Sequence, residues 1–226
     1  MFQVVRMTES VRASLPGVQV FEFRGQARRK PGSPAVDFAP EWERLHQRWQ
    51  GKSKKDVEEF PPHAAYAALY RLIGFDPKKN PPSVQNLIQR FLARPSLDRF
   101  PVINPMVDSV NVAAVDSGIP LGVFDDRHVR GDLFLAFTAG GEMFQPLGTP
   151  QPQPLPAGVL VLRDDENVLS QFCYRDGDTQ KVTPTTAGFR LLGCQAPEIT
   201  ADAVKSALEL ALLILARHFD VVPATN

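Results

Sequence analysis

Asn104-Pro105-Met106-Val107-Asp108-Ser109-Val110-Asn111-Val112-Ala113-Ala114-Val115-Asp116-Ser117-Gly118 carries its own start and stop. Asparagine caps a helix because its side-chain oxygen accepts from the free amides of the first turn, and a proline next to it gives up no donor the helix needs. Glycine after Ser117 takes the left-handed turn that ends a helix. The stretch therefore predicts a helix from Pro105 to about Ser117. On it Met106, Val107, Val110, Ala113 and Ala114 can turn inward, while Asn104, Asp108, Asn111 and Val115 recur on a neighbouring stripe. Asp108 and Asn111 are expected to project together.

The texture differs on the two sides of this helix. Before it, Val18 to Phe23 alternates like a half-buried strand, and Gly25 is expected to end that strand before a basic loop, Arg28-Arg29-Lys30, with Pro31 and Pro34. Trp42, Leu45 and Trp49 then recur at helical spacing after Pro40. Pro61-Pro62 opens a helix over Ala64 to Ile73, and Pro81-Pro82-Ser83 opens another through Val84, Leu87, Ile88, Phe91 and Leu92. After Pro120 the apolar runs are short and bounded by Gly, Pro and Asp: Leu121 to Phe124, Leu133 to Phe137, Met143 to Leu147, Val159 to Leu162, Leu169 to Tyr174 and Phe189 to Leu192. These read as strands. Gln151 to Pro156 reads as a connection, and Thr200 caps a last amphipathic helix ending near His218. The expected class is α+β, with a strand-rich second half packed against helices. A single domain over 1–226 is the simpler organisation, with 1–63 as an N-terminal strand and helix extension and 198–219 as the C-terminal helix.

Composition narrows the function. Of 226 residues 43% are hydrophobic and 22% charged, no apolar run is long enough to span a bilayer, and the N-terminus lacks the layout of a secretion signal, so the cytoplasm is the expected location. Twenty-five basic residues balance twenty-five acidic ones, so a nucleic-acid partner has to be held by a local patch. Cys173 and Cys194 cannot form a disulfide framework and are expected as buried thiols; His46, His63, His128 and His218 fall in unrelated elements, and no metal or cofactor is expected. There is no Gly-x-Ser-x-Gly elbow, phosphate-binding glycine loop or His-Glu-x-x-His. The polar run Tyr174-Arg175-Asp176-Gly177-Asp178-Thr179-Gln180-Lys181-Val182-Thr183 is either a solvated turn between strands or a functional one. Asp108 and Asn111 have an equally plain alternative as capping groups. Basic groups at Arg28-Arg29-Lys30, at Lys52, Lys54 and Lys55, at Lys78-Lys79 and at Arg90 to Arg94 either converge on a phosphate backbone or stay separate solvated faces.

Several stretches, read in order, resemble the B3/B4 family, the editing domain of the beta subunit of bacterial phenylalanyl-tRNA synthetase, and most of all its free-standing branch. They are Pro82-Ser83-Val84 with Leu87 and Arg90, Asn104 to Asn111, Gly118-Ile119-Pro120-Leu121-Gly122-Val123-Phe124-Asp125, Gly141-Glu142 with Leu147-Gly148, and Arg175-Asp176 with Thr179 to Thr183. The resemblance covers about Ala64 to Leu192 and leaves out the first residues and the last helix. It implies hydrolysis of the ester that joins a wrongly chosen amino acid to tRNA. A second sieve of this kind is needed because one small apolar group discriminates by only about 1–3 kcal/mol. Lacking an adenylate-forming domain, the chain would act in trans on misacylated tRNA.

The resemblance places Asn111 in the amino-acid pocket and makes it, with Asp108, the candidate for catalysis. Pro120, Gly122, Phe124, Arg175, Asp176, Asp178 and Thr179 are the candidates for substrate binding. The family's pocket glutamate falls on Asp178, which would read the substrate side chain, and its pocket histidine is replaced by Gly122. That loss of an imidazole enlarges the pocket and makes a longer or cationic substrate side chain conceivable. Arg28, Arg29, Lys30, Lys78 and Lys79 are the candidates for tRNA binding. No cofactor, membrane, DNA or obligate protein partner is implied. The alternatives are a non-catalytic tRNA-binding module and a free amino-acid-binding protein.

Overall fold

The computed structural model describes residues 1–32, 36–97 and 102–224. Pro34, expected in the basic loop, lies outside them. The chain opens with short strands β1 (Gln3–Val4) and β2 (Arg6–Met7), helix α1 (Glu9–Ser14) and the long strand β3 (Gln19–Arg29). Helices α2 (Ala39–Trp49), α3 (Lys54–Glu58), α4 (Pro61–Leu72) and α5 (Ser83–Leu87) follow. The last runs on into a π-helical turn, Ile88–Leu92, closed by the Ala93 amide donating to the Ile88 carbonyl at 2.9 Å. Helix α6 (Pro105–Ser117) leads to β4 (Leu121–Asp125), β5 (Phe134–Phe137), β6 (Met143–Phe144), β7 (Gln153–Pro154), β8 (Leu160–Arg163), β9 (Val168–Gln171), β10 (Arg175–Asp176) and β11 (Gly188–Gln195). Helix α7 (Ala201–Leu215) and β12 (Phe219–Pro223) close the chain. The class is α+β.

Helix α6 starts and stops where its residues demand. The Asn104 side-chain oxygen accepts from the amides of Met106 at 3.1 Å and Val107 at 3.0 Å, satisfying two donors that have no partner inside the helix. Gly118 sits at φ 74°, and a Cβ there would come within 2.6 Å of the Phe60 ring. Only glycine fits both the turn and the space.

Two sheets flank the core. In the first the order is β1-β3-β11-β4, with β12 pairing the far end of β3; all pairs are antiparallel. Its register sets Val20 opposite Cys194 and Leu192 opposite Gly122. The second runs β10-β9-β8-β5-β2, with β2 parallel to β5. Helix α7 packs on α6 and β11, burying Val204, Ala207, Leu208 and Ala211. One apolar cluster runs from these helices through both sheets, and a smaller one gathers Phe144, Leu155, Val161 and Val168. Burying each large side chain in such a cluster contributes roughly 1.5–3 kcal/mol.

Two expectations are corrected here. Gly25 does not end β3: the strand continues to Arg29, and the glycine makes room where a Cβ would lie 2.5 Å from the Phe23 ring and 3.0 Å from the Val222 carbonyl of β12. Arg28 and Arg29 therefore lie on a paired strand rather than in a loop. Gln151 to Pro156 is more than a connection, because β7 within it pairs with β6. Among the described residues no helix is long and apolar enough to cross a membrane.

Candidate functional site

Where the two sheets and α6 meet, two cavities of about 180 and 230 Å³ share one wall. That wall is Asn111 from α6, Leu121, Gly122 and Phe124 from β4, and Asp176 from β10. The first cavity goes deep, past Pro120 to Val20 of β3 and Cys194 of β11. The second opens along Val107, Val110, Leu147 and Val182. Apolar walls with two polar groups at their junction are the usual make-up of a ligand site.

Asn111 and Asp108 part company. The Asp108 carboxylate, only 2% exposed, turns back to accept from the Ile103 amide at 3.1 and 3.3 Å and lines neither cavity. Burial raises its pKa, and the Ile103 amide partly opposes this. Asp108 fixes how the chain enters α6, so the sequence-based grouping of the two is corrected. Among the described residues the Asn111 side-chain amide has no hydrogen-bond partner, which leaves it free to bind at the junction.

The acids of the polar run also separate. Asp176 faces both cavities, opposite Ser170 in the strand register. Desolvation by the surrounding walls raises its pKa, the Ser170 hydroxyl alone pulls the other way, and among the described residues no cation pairs with it. Asp178, two residues on, lines neither cavity. Its carboxylate accepts from Lys181 Nζ at 2.8 Å, which holds its pKa below the ordinary range. The structure therefore does not bring Asp178 together with Asn111 and Asp176: it is paired with Lys181, whose own side chain lines the second cavity. Thr179 is exposed and likewise lines neither cavity.

Gly122 stands beside Asp176, where a Cβ would be 3.8 Å from Asp176 Oδ2. A larger residue here would project against that carboxylate, so the glycine leaves the acid accessible. The pocket floor is tied down from α4. Tyr66 donates to the Cys194 carbonyl and Tyr70 to the Cys173 carbonyl, where Cys173 takes a positive φ of 56°. Both cysteines are partly accessible and line the first cavity, a correction to their reading as buried thiols. Sequence patterns do not reveal Val20, Ser170, Tyr66 and Tyr70, because long-range pairing brings them to the site.

The basic candidates do not converge. Arg28 and Arg29 lie on β3 opposite Asp220 and Phe219, and Arg28 is about 26 Å up the strand from Val20 at the usual rise per residue. Lys30 Nζ donates to the Ala216 carbonyl at 2.7 Å, capping the end of α7. Lys78 borders a separate groove with Glu58 and Glu59. Lys79 and Arg175 reach a third cavity beside the first. Among the described residues no three His, Cys, Asp or Glu side chains come together as a set able to hold a metal ion.

Residues 65–212 match the model of the B3/4 domain, and the chain belongs to that family. The match extends past Leu192 into α7, beyond the reach of the sequence resemblance. A crystal structure of an N-terminal fragment of the phenylalanyl-tRNA synthetase beta-subunit from Pyrococcus horikoshii is similar with a TM-score of 0.46 at 12% identity. The alignment covers 98% of this chain and 52% of that one, so this chain spans about half its length. Comparison with curated proteins gave no match.

Proposed function

We propose that this chain is a trans-acting aminoacyl-tRNA deacylase that hydrolyses the ester of a misacylated tRNA. The observation that carries the reading is the junction itself: an unpaired carboxylate, Asp176, and an uncommitted amide, Asn111, meet between two apolar cavities beside an open glycine position. Such a junction suits a small molecule with a cationic group and a polar carbonyl, which is what an aminoacyl ester offers. Asp176 takes the ammonium of the amino acid or a cationic group on its side chain. Asn111 donates to the ester carbonyl as negative charge develops on it, an interaction that strengthens towards the transition state. An aminoacyl ester is already activated, so a water held in line needs little more than orientation. Membership of the B3/4 family supports the reading, as does the sequence resemblance to an editing domain.

The reading also takes residues 1–226 as one folding unit acting in the cytoplasm, since β3 and α7 both contribute to the body that holds the pocket. The test is a screen of the purified protein against bulk tRNA charged with different amino acids, measuring release of each. Loss of one or a few esters is the expected result. Retention of charged tRNA without ester loss would leave only a tRNA-binding module, and binding of free amino acid alone would replace the reading altogether. The same screen in the presence of a chelator is expected to give unchanged rates.

A further inference from the structure

The third cavity, about 370 Å³, adjoins the first and shares Ser83, Leu87, Tyr174 and Arg175 with it. Three cations stand around it: Lys79 from the turn before α5, Arg90 from the π-helical turn, and Arg175 from β10. Among the described residues no carboxylate lines it and none of the three has an ion-pair partner. Elsewhere the basic side chains are largely committed, as in Arg44 to Asp116, Lys54 to Glu58 and Arg190 to Asp126. In a chain of zero net charge, three unpaired cations around one polar cleft form a local positive field.

The aromatic groups give the cleft a second property. The Arg175 guanidinium lies 5.1 Å from the Tyr174 ring centre, and that of Arg90 lies 5.3 Å from the Phe91 ring centre. Stacking against a ring holds a guanidinium in place while its edge stays free for a phosphate. The Tyr174 hydroxyl is anchored on Asn80 Oδ1 at 2.8 Å, so this ring is fixed in the cleft wall. Arg90 owes its position to the widened turn, a local distortion found often at functional sites. Arg175 and Asp176 are successive residues of β10 and both line the first cavity, while Arg175 also lines the third. A group bound by Arg175 therefore lies next to one bound by Asp176.

We propose that this cleft is a phosphate site for the single-stranded end of a nucleic acid, with Lys79, Arg90 and Arg175 holding the phosphodiesters nearest the terminal nucleotide. The proposal rests on the deacylase reading for the identity of the strand. It assigns the cleft to the backbone, and the two cavities at Asn111 and Asp176 to the amino acid at the strand's end.

The experiment uses the full chain and a dye-labelled single-stranded RNA ending in cytidine-cytidine-adenosine, with affinity measured by fluorescence anisotropy over a series of salt concentrations. In single-stranded binding each neutralised phosphate contributes roughly 0.7 to the log–log salt slope. Lys79→Ala and Arg90→Ala are each expected to weaken binding roughly tenfold, the usual cost of losing a hydrogen bond to a charged group, and to flatten the slope by about 0.7. All three cations are solvent-exposed, so the variants are expected to melt like the parent; Arg90→Lys is expected to keep the slope. Arg28→Ala is expected to change neither quantity. Unchanged affinity and slope in the Lys79→Ala, Arg90→Ala double variant would overturn the site, as would an equal loss in Arg28→Ala. If charged tRNA is not hydrolysed while the RNA responds as expected, the cleft stands and the hydrolytic reading falls.

Discussion

Asp125 and Asp176 stand on neighbouring strands of the two sheets and have been put to opposite uses. Asp125 is fully buried. It accepts from the Arg127 amide at 3.0 Å, from the Arg127 guanidinium at 3.1 and 2.7 Å, and from the Thr186 hydroxyl at 2.6 Å. Desolvation is the largest influence on it and pushes its pKa up, yet these bonds together outweigh it and hold the pKa at about 2. Asp176 is more open, has one hydroxyl beside it, and has its pKa raised by desolvation. One carboxylate is saturated by its own fold. The other has the Ser170 hydroxyl and, among the described residues, no cation beside it, and an acid of this kind lining a cleft is the feature on which the proposed ligand site rests.

The sharpest break of this contrast comes from the pocket's neutral group. Asn111→Ala is expected to lower ester hydrolysis by roughly a hundredfold or more, the effect of removing a donor to a developing oxyanion, with melting temperature unchanged. Equal rates in the purified variant would remove Asn111 from the chemistry.

Asp125→Asn probes the saturated side. It is expected to cost about 2 kcal/mol in urea unfolding at neutral pH, matching the depression of the parent pKa. The sign follows from that depression: the contribution is present above the unfolded pKa and is lost as pH falls towards about 2, so the two proteins converge in acid.

Asp176→Asn is expected to do the reverse. Its raised pKa means that the parent is favoured at low pH and loses that advantage as pH rises through the folded value. The variant should therefore melt slightly higher than the parent at neutral pH and match it in acid, while losing preference for its cationic ester. A lower melting temperature would mean that Asp176 has a partner after all.

The smallest effect is expected from Asp178→Ala, whose carboxylate is held outside the cavities by Lys181. Rates and selectivity in the charged-tRNA screen should stay within about twofold of the parent, since an exposed ion pair of this kind contributes little. A change of selectivity here would return the side-chain-reading role to this residue.

What sequence could tell follows from how far each signal reaches. The bounds of α6 were legible because a cap, a proline and a terminal glycine act on atoms within a few residues. The end of β3 was not, because Gly25 looks like a breaker until β12, nearly two hundred positions later, lies against it. The pocket was half legible. Asn111 and Asp176 were both among the named candidates, but Asp108 and Asp178 shared their stretches and chemistry. Telling them apart required knowing which way each side chain turned. Alternation along a strand does not separate Asp176 from Asp178, because β10 ends at Asp176 and Asp178 lies in the bend that follows, where its ion pair with Lys181 sets its direction.

Strand β3 lies before the 65–212 span of the family match, yet it runs beside β11 along the whole eight residues of Gly188–Gln195. A version cut to the matched span would strip one side of β11 and leave an open, largely apolar edge. Exposed edges of that length recruit other strands, so the expected fate of the shortened protein is self-association rather than a smaller working unit.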